Sequence, residues 1–237
     1  NEAPVQADLH HRLASLQIDA LGDKAQGLAT LRIALERVPE HQAAREAVEK
    51  LLSDGALFDD AFDTLEGVYR STNRGEELAR LYERRIDRAD GPRGRTRARL
   101  DLARIRENEA NDVTGAQRAV EAAIIGEPTD PDVLIELERL AEKNNAWREA
   151  ANALARALEV QDSIAPKSAG SAELYSRLGS WYRDKVQDNE GAERAFAKAL
   201  EADSENIEYV RALEALRRGP GRERDRVATL RRLAKLE

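Results

Sequence analysis

The chain has 237 residues, no cysteine, 41% hydrophobic and only 4% aromatic residues, and 38 basic against 45 acidic side chains. Without cysteine there are no disulfides, no thiol nucleophile and no Cys-ligated zinc or iron–sulfur centre. A near-normal apolar share with balanced charge signs argues against disorder. The net charge of −7 does not suit the chain as a whole to polyanions. No apolar run approaches the roughly 18 residues of a membrane-spanning helix. The sequence starts at Asn1, which reads as a processed or excised fragment.

In chain order, apolar residues recur at intervals of three and four almost throughout, and strand-like alternation is absent. The spacing predicts about thirteen helices, over residues 5–20, 23–38, 41–53, 57–71, 74–89, 93–109, 112–126, 131–143, 146–160, 171–186, 188–202, 205–217 and 222–236. In the eighth, Val133, Leu134, Leu137, Leu140 and Ala141 form one stripe. Asp130 is placed to cap that helix and Pro131 suits its first position. Six of the seven prolines are expected in the gaps, and Pro4 before the first helix.

Residues 22–40, 111–129 and 187–205 align with one another at offsets of 89 and 76. Asp23, Asp112 and Asp188 coincide at the helix start; Leu31, Val120 and Phe196 coincide, as do Ala34, Ala123 and Ala199. Val120 and Leu154 stand 34 residues apart. Helix hairpins recurring at this period leave one apolar face wet until the next hairpin stacks on it. Small residues such as Ala150, Ala157 and Ala192 then permit close helix approach, and large ones such as Tyr69, Tyr82, Trp147 and Tyr182 fill the spaces between.

This pattern resembles the tetratricopeptide repeat (TPR) family. Segment 59–92 carries Phe62, Leu65, Tyr69 and Tyr82, but has Glu66, Leu78 and Arg85 where the family has small residues. Segment 171–204 carries Leu178, Gly179, Tyr182, Ala192, Phe196 and Ala199, with one extra residue in its turn. The resemblance implies an all-α, right-handed superhelical solenoid of antiparallel hairpins. It is a single domain over 1–237, with sub-blocks 1–92 and 93–237 and a long loop at 161–170. The helix at 41–53 is left without a hairpin partner.

Motifs for catalysis are missing: no phosphate-cradling glycine loop, nucleophile elbow or HExxH occurs. His10, His11 and His41 are expected at the surface or a groove edge rather than as ligands. No cofactor, no metal and no enzymatic activity are expected. Residues 84–106 hold nine Arg and three Asp, and residues 211–235 nine basic and three acidic residues. Such blocks read first as solvated helix surface, second as a site for an acidic partner or for self-association through opposite charges. Nucleic acid ranks last, because the first block offers no aromatic residue for base stacking.

The resemblance further implies that the first helix of each hairpin lines a concave groove. It places Asp60, Asp63 and Arg70 there, then Asp101, Ile105 and Asn108, then Asp132, Ile135, Arg139 and Glu142, then Ser176, Ser180 and Arg183, and finally Glu208 and Arg211. The family's clamp for a C-terminal carboxylate is absent: Asp63, Gly67, Leu102, Asp132 and Glu136 stand at its positions. The function expected is a scaffold that holds a protein or peptide in this groove, without membrane insertion, in the cytoplasm or, given the start at Asn1, in a secreted or periplasmic setting. The alternative is a spacer or self-assembly segment of a larger repeat protein.

Overall fold

The structure is a computed structural model and describes residues 2–164, 169–218 and 221–236. Among the described residues there are thirteen α-helices and no strand: α1 (Glu2–Asp19), α2 (Lys24–Arg37), α3 (Gln42–Leu51), α4 (Phe58–Ser71), α5 (Gly75–Arg88), α6 (Gly91–Asn108), α7 (Val113–Gly126), α8 (Pro131–Asn144), α9 (Trp147–Ile164), α10 (Ala169–Trp181), α11 (Asn189–Ala202), α12 (Ile207–Leu216) and α13 (Glu223–Leu236). A π-helical turn, Tyr182–Val186, continues α10.

The turns show how the helices are grouped. Gly22, Asn73, Asn111, Asn145, Gln187 and Gly221 all have positive φ, between 52° and 81°. Each stands two residues before the first residue of α2, α5, α7, α9, α11 or α13. The same left-handed reversal therefore closes six successive helix pairs, and α3 is the helix left over. Asn and Gly occupy five of these positions because they tolerate the left-handed region at little cost.

After the first five of these reversals the next residue donates its N–H back to the preceding helix. Arg74 and Ala146 reach Tyr69 and Ala141, five residues back, as in a Schellman closure. Asp23, Asp112 and Asp188 reach Gln17, Arg106 and Tyr182, six residues back. These three turns hold one extra residue, and they are the three whose aspartates align in the sequence. In the last of them the extra residue is taken up by the π-helical turn. The Asp23 and Asp188 carboxylates cap α2 and α11 through the N–H groups of Gln26 and Gly191.

By contact density the chain forms two compact units, one of Asn1–Arg88 with Arg104–Asp112, the other of Ala89–Ala103 with Val113–Glu237. In the first unit α1 lies along α2 through a seam of small residues. Ala7 and Ala14 are fully buried, and Gly27 leaves room for Ile18, which would come within 2.4 Å of a Cβ there. The unpartnered α3 is seated between α2 and α4. Its N-cap is His41, whose Nδ1 accepts from the Ala44 N–H at 3.1 Å while Nε2 faces the Asp8 carboxylate at 3.1 Å. Between α4 and α5, Phe62 meets Tyr82 edge-on at 5.3 Å, and Arg85 and Arg88 lie over Phe62 and Phe58 at 4.8 and 4.5 Å.

In the second unit α7 packs on α8 and α9, α9 on α10, α10 on α11, α11 on α12, and α12 on α13. The close contacts are made by fully buried alanines, among them Ala116, Ala123, Ala150, Ala157, Ala192 and Ala199. Gly179 admits the Phe196 ring, 2.9 Å from where a Cβ would stand. Leu137, Leu140, Leu154 and Leu158 are fully buried around these seams, each contributing about 1.5–3 kcal/mol of apolar burial. The Asp130 side chain caps α8 and Pro131 opens it, as the sequence implies.

Several expectations are corrected. Pro4 and Pro92 lie inside the first turns of α1 and α6, not before them. A missing N–H costs no hydrogen bond there, because first-turn donors have no helical partner. The connection expected at 161–170 is shorter. Helix α9 runs on through Gln161–Ile164, with Ser163 Oγ donating to the Val160 carbonyl at 2.6 Å, and α10 starts at Ala169. Residues 165–168 of that connection lie outside the described residues.

Candidate functional site

The candidate surface lies on the first helices of the hairpins, and the structure allows each of its residues to be placed within its own unit. In the first unit Asp60, Asp63 and Arg70 are exposed on α4, and Asn108 is exposed at the end of α6. Ile105, one turn earlier, is buried and leaves the groove set. Arg70 is not available to a ligand as a lone cation. It donates to Glu66 one turn back on α4 at 3.0 Å and also pairs with Glu109, which ties the end of α4 to the segment after α6. Asp63 lines an open cleft of about 760 Å³ with Gly67 and Ser71, facing Arg32, Leu35 and Pro39 of the α2 side.

In the second unit Asp101 is half-buried on α6, and Asp132, Ile135, Arg139 and Glu142 are all exposed on α8. Ser176 and Ser180 on α10 and Arg183 in the π-helical turn are half-buried, and Glu208 and Arg211 are exposed on α12. Helices α8 and α10 are cross-linked along this face: Arg177 approaches Glu138 at 3.6 Å and Lys185 reaches Glu142 at 2.9 Å. Glu142 also accepts from the Trp147 indole N–H at 2.8 Å. Hydrogen bonds from Lys185 and then Trp147 hold its carboxyl below the usual range. Lys185 lies 4.8 Å from the Trp147 ring, and Trp147 meets Trp181 edge-on at 5.5 Å.

The charges on this face are largely paired within the chain. Arg139 binds Glu136 at 2.7 Å, Arg183 binds Asp184 at 2.7 Å and Arg211 binds Glu208 at 3.0 Å. The hydrogen bond from Arg183 holds the Asp184 carboxyl low. In the midst of these pairs Ile135 stands 62% exposed, an apolar side chain with nothing to cover it. The arrangement is a polar strip with an apolar centre. It offers contact area and exchangeable ion pairs, and no nucleophile, base and orienting group converge on it.

The basic blocks are paired within the chain to different degrees, the C-terminal one more than the other. In the C-terminal block Arg217 and Arg222 both pair with Glu193, and Arg218 and Arg226 with Glu214. In the other block Arg106 holds Asp112 at 2.6 Å and also reaches Glu83. Among the described residues no group of three His, Cys, Asp or Glu side chains is placed to hold a metal ion. None of the described helices is long and apolar enough to cross a membrane.

Among the described residues the chain is a succession of helix hairpins, as the repeat pattern implies. No family model matches the chain, and no curated protein matches it. Among solved structures it is similar to BtubC (BKLC) from P. vanneervenii, at 16% identity over 88% of this chain and 90% of that one, with a TM-score of 0.40. It is similar to MamA at 17% identity over 71% of this chain and 91% of that one, TM-score 0.38. It is also similar to a thermophilic TPR protein of Thermus thermophilus, at 20% identity over 89% of this chain and 98% of that one, TM-score 0.30. The hairpin description rests on the turns and contacts of the chain itself.

Sequence reasoning missed a second cleft, of about 1060 Å³, between α9, α10 and α11. Its floor is Ala155, Leu178, Gly191 and Ala195; Glu159 and Asp162 stand on one wall and Arg194 and Lys198 on the other. Tyr175 donates to Asp162 at 2.7 Å across it, and burial together with that carboxylate pushes the phenol up. The signal for this cleft lay in residues 161–164 being helical, which the apolar pattern alone did not disclose.

Proposed function

We propose that this chain is a non-enzymatic scaffold that binds a protein or peptide segment on the first-helix face of its second unit. The observation that supports the reading is Ile135. It is 62% exposed in the second turn of α8, while the remainder of that helix buries Val133, Leu134, Leu137, Leu140 and Ala141. An apolar side chain ringed by Asp132, Arg139 and Glu142 gives a partner one desolvated anchor and a polar rim, the usual anatomy of an interface. The Arg139–Glu136 and Arg183–Asp184 pairs exchange with charges on a partner, which makes recognition sensitive to salt.

The test is affinity capture from lysate of the source cells, comparing the wild type with a combined Asp132→Ala, Ile135→Ala, Arg139→Ala variant. All three side chains are exposed, so each substitution changes stability by no more than about 0.5 kcal/mol and the variant stays folded, which its urea midpoint checks. Capture is lost in the variant. Equal capture by both proteins would move the site off this face.

A further inference from the structure

Two helices keep an apolar stripe in water. On α1, Val5, Leu9, Leu13 and Leu16 recur at helical spacing and are each between 49% and 61% exposed, because the helix meets α2 through Ala7 and Ala14 instead. On α13, Val227 and Leu230 are 46% and 41% exposed, with Ala234 exposed on the same stripe, because Thr229 is the residue buried toward α12. Contiguous stripes of this kind are unusual on a surface that meets only solvent.

The repeat itself supplies the geometry that would cover them. In the second unit the second helix of each hairpin packs on the first helix of the next: α7 on α8, α9 on α10, α11 on α12. Helix α13 is a second helix with no first helix after it among the described residues. Helix α1 is a first helix with no second helix before it among the described residues. The charges are complementary as well. Helix α1 carries Glu2, Asp8 and Asp19 against one arginine, Arg12. Helix α13 carries five basic residues against two acids. Arg224, Arg231 and Lys235 flank its stripe, exposed and without an ion pair among the described residues.

We propose that copies of this chain associate head to tail, the α1 stripe of one copy packing on the α13 stripe of the next. Pairing α1 with α1 would oppose carboxylates, and pairing α13 with α13 would oppose arginines; only the mixed pairing joins opposite signs. Such a contact is heterologous, so each added copy exposes a fresh α1 and a fresh α13 and growth continues. The interface is one helix against one helix, which places it in the weak, concentration-dependent class.

Sedimentation velocity over a concentration series tests this with three samples. The wild type rises in apparent mass beyond twice its 26.4 kDa. A Leu9→Glu, Leu13→Glu variant and a Val227→Glu, Leu230→Glu variant are each monomeric, and circular dichroism shows each as helical as the wild type. Mixed in equal amounts, the two variants form a dimer and nothing larger, because one keeps an intact α13 and the other an intact α1. The mixed dimer weakens as salt is raised. The proposal is overturned if the wild type stays monomeric throughout, in which case other sequence or another protein covers the stripes. It is equally overturned if either variant alone still dimerises, which would mean like-with-like pairing.

Discussion

Arg226 of α13 donates to the Glu214 carboxylate of α12 at 2.9 Å, and Glu214 is the only acid that α12 buries. Arg218 grips the same carboxylate from one turn along, at 2.7 Å. The last helix is thus fixed by charge more than by packing, since Thr229 is its one buried residue. In a Glu214→Ala variant, hydrogen exchange should accelerate across 223–236 while α10 and α11 keep their protection. Uniform protection would show that α13 does not depend on this pair.

The same pair carries a pH dependence. The hydrogen bond from Arg218, then that from Arg226, holds the Glu214 carboxyl below its ordinary 4.5. The folded state therefore binds fewer protons than the unfolded state in this range. Its contribution is complete above about pH 4.5 and is lost as pH falls through the depressed folded value. Exchange at α13 should rise in acid before the rest of the second unit loosens.

At the other end of the chain burial, then the neighbouring His41, holds the His11 imidazole below its usual 6.5, against the opposing pull of Asp8. The two rings stand 5.7 Å apart. Protonating His11 is harder in the folded state, so this contribution is intact above about pH 6.5 and declines as pH falls below it. Urea midpoints should drop between about pH 7.5 and pH 5.5, and His11→Gln should flatten that slope.

Two glycines make a matched test of packing. A Cβ on Gly75 would stand 2.0 Å from the Glu109 carbonyl oxygen and 2.7 Å from Ala110 Cα, and backbone cannot yield as a side chain does. Gly75→Ala should cost at least the roughly 1–3 kcal/mol of an overpacked site. A Cβ on Gly67, within α4, meets nothing within 4 Å. Gly67→Ala should stabilise by about 0.5–1 kcal/mol through helix propensity. Ala199→Leu, at a fully buried seam, should behave like the first and Ala56→Leu, in an exposed turn, should be near neutral. Midpoints in urea decide all four.

Gln187 holds φ of 59° at the reversal where the other five turns use Asn or Gly. Gln187→Gly should raise stability by up to about 1 kcal/mol, the order of the left-handed penalty for a residue with a Cβ. No gain would mean that the adjoining π-helical turn, rather than Gln187, sets the conformation.

The hairpins were legible because they are written locally. Five of the six reversals announce themselves as Asn or Gly, and Asp23, Asp112 and Asp188 mark the three widened turns. Gln187 gives no such sign. The pairing of Arg70 with Glu109 spans 39 residues, and no local pattern discloses which acid an exposed arginine will meet. Helix α1 was readable as a helix but not as an oriented one. It is apolar on several sides, and the choice of the small Ala7 and Ala14 as the buried seam depends on how closely α2 approaches. The groove residues other than Ile105 fall on exposed or half-buried positions. Ile105 is buried, and the apolar residues Leu100, Leu102 and Ala103 around it show that α6 buries more of its circumference than one stripe.

The proposed partner on the first-helix face of the second unit can be located by site-specific photocrosslinking. A photoreactive amino acid is placed at Ile135 or Ser176 on that face, and as controls at Arg156 on α9 or Lys198 on α11, both exposed on second helices. Adducts with one common partner are expected from 135 and 176 and none from 156 and 198. Adducts from the second-helix positions alone would contradict it.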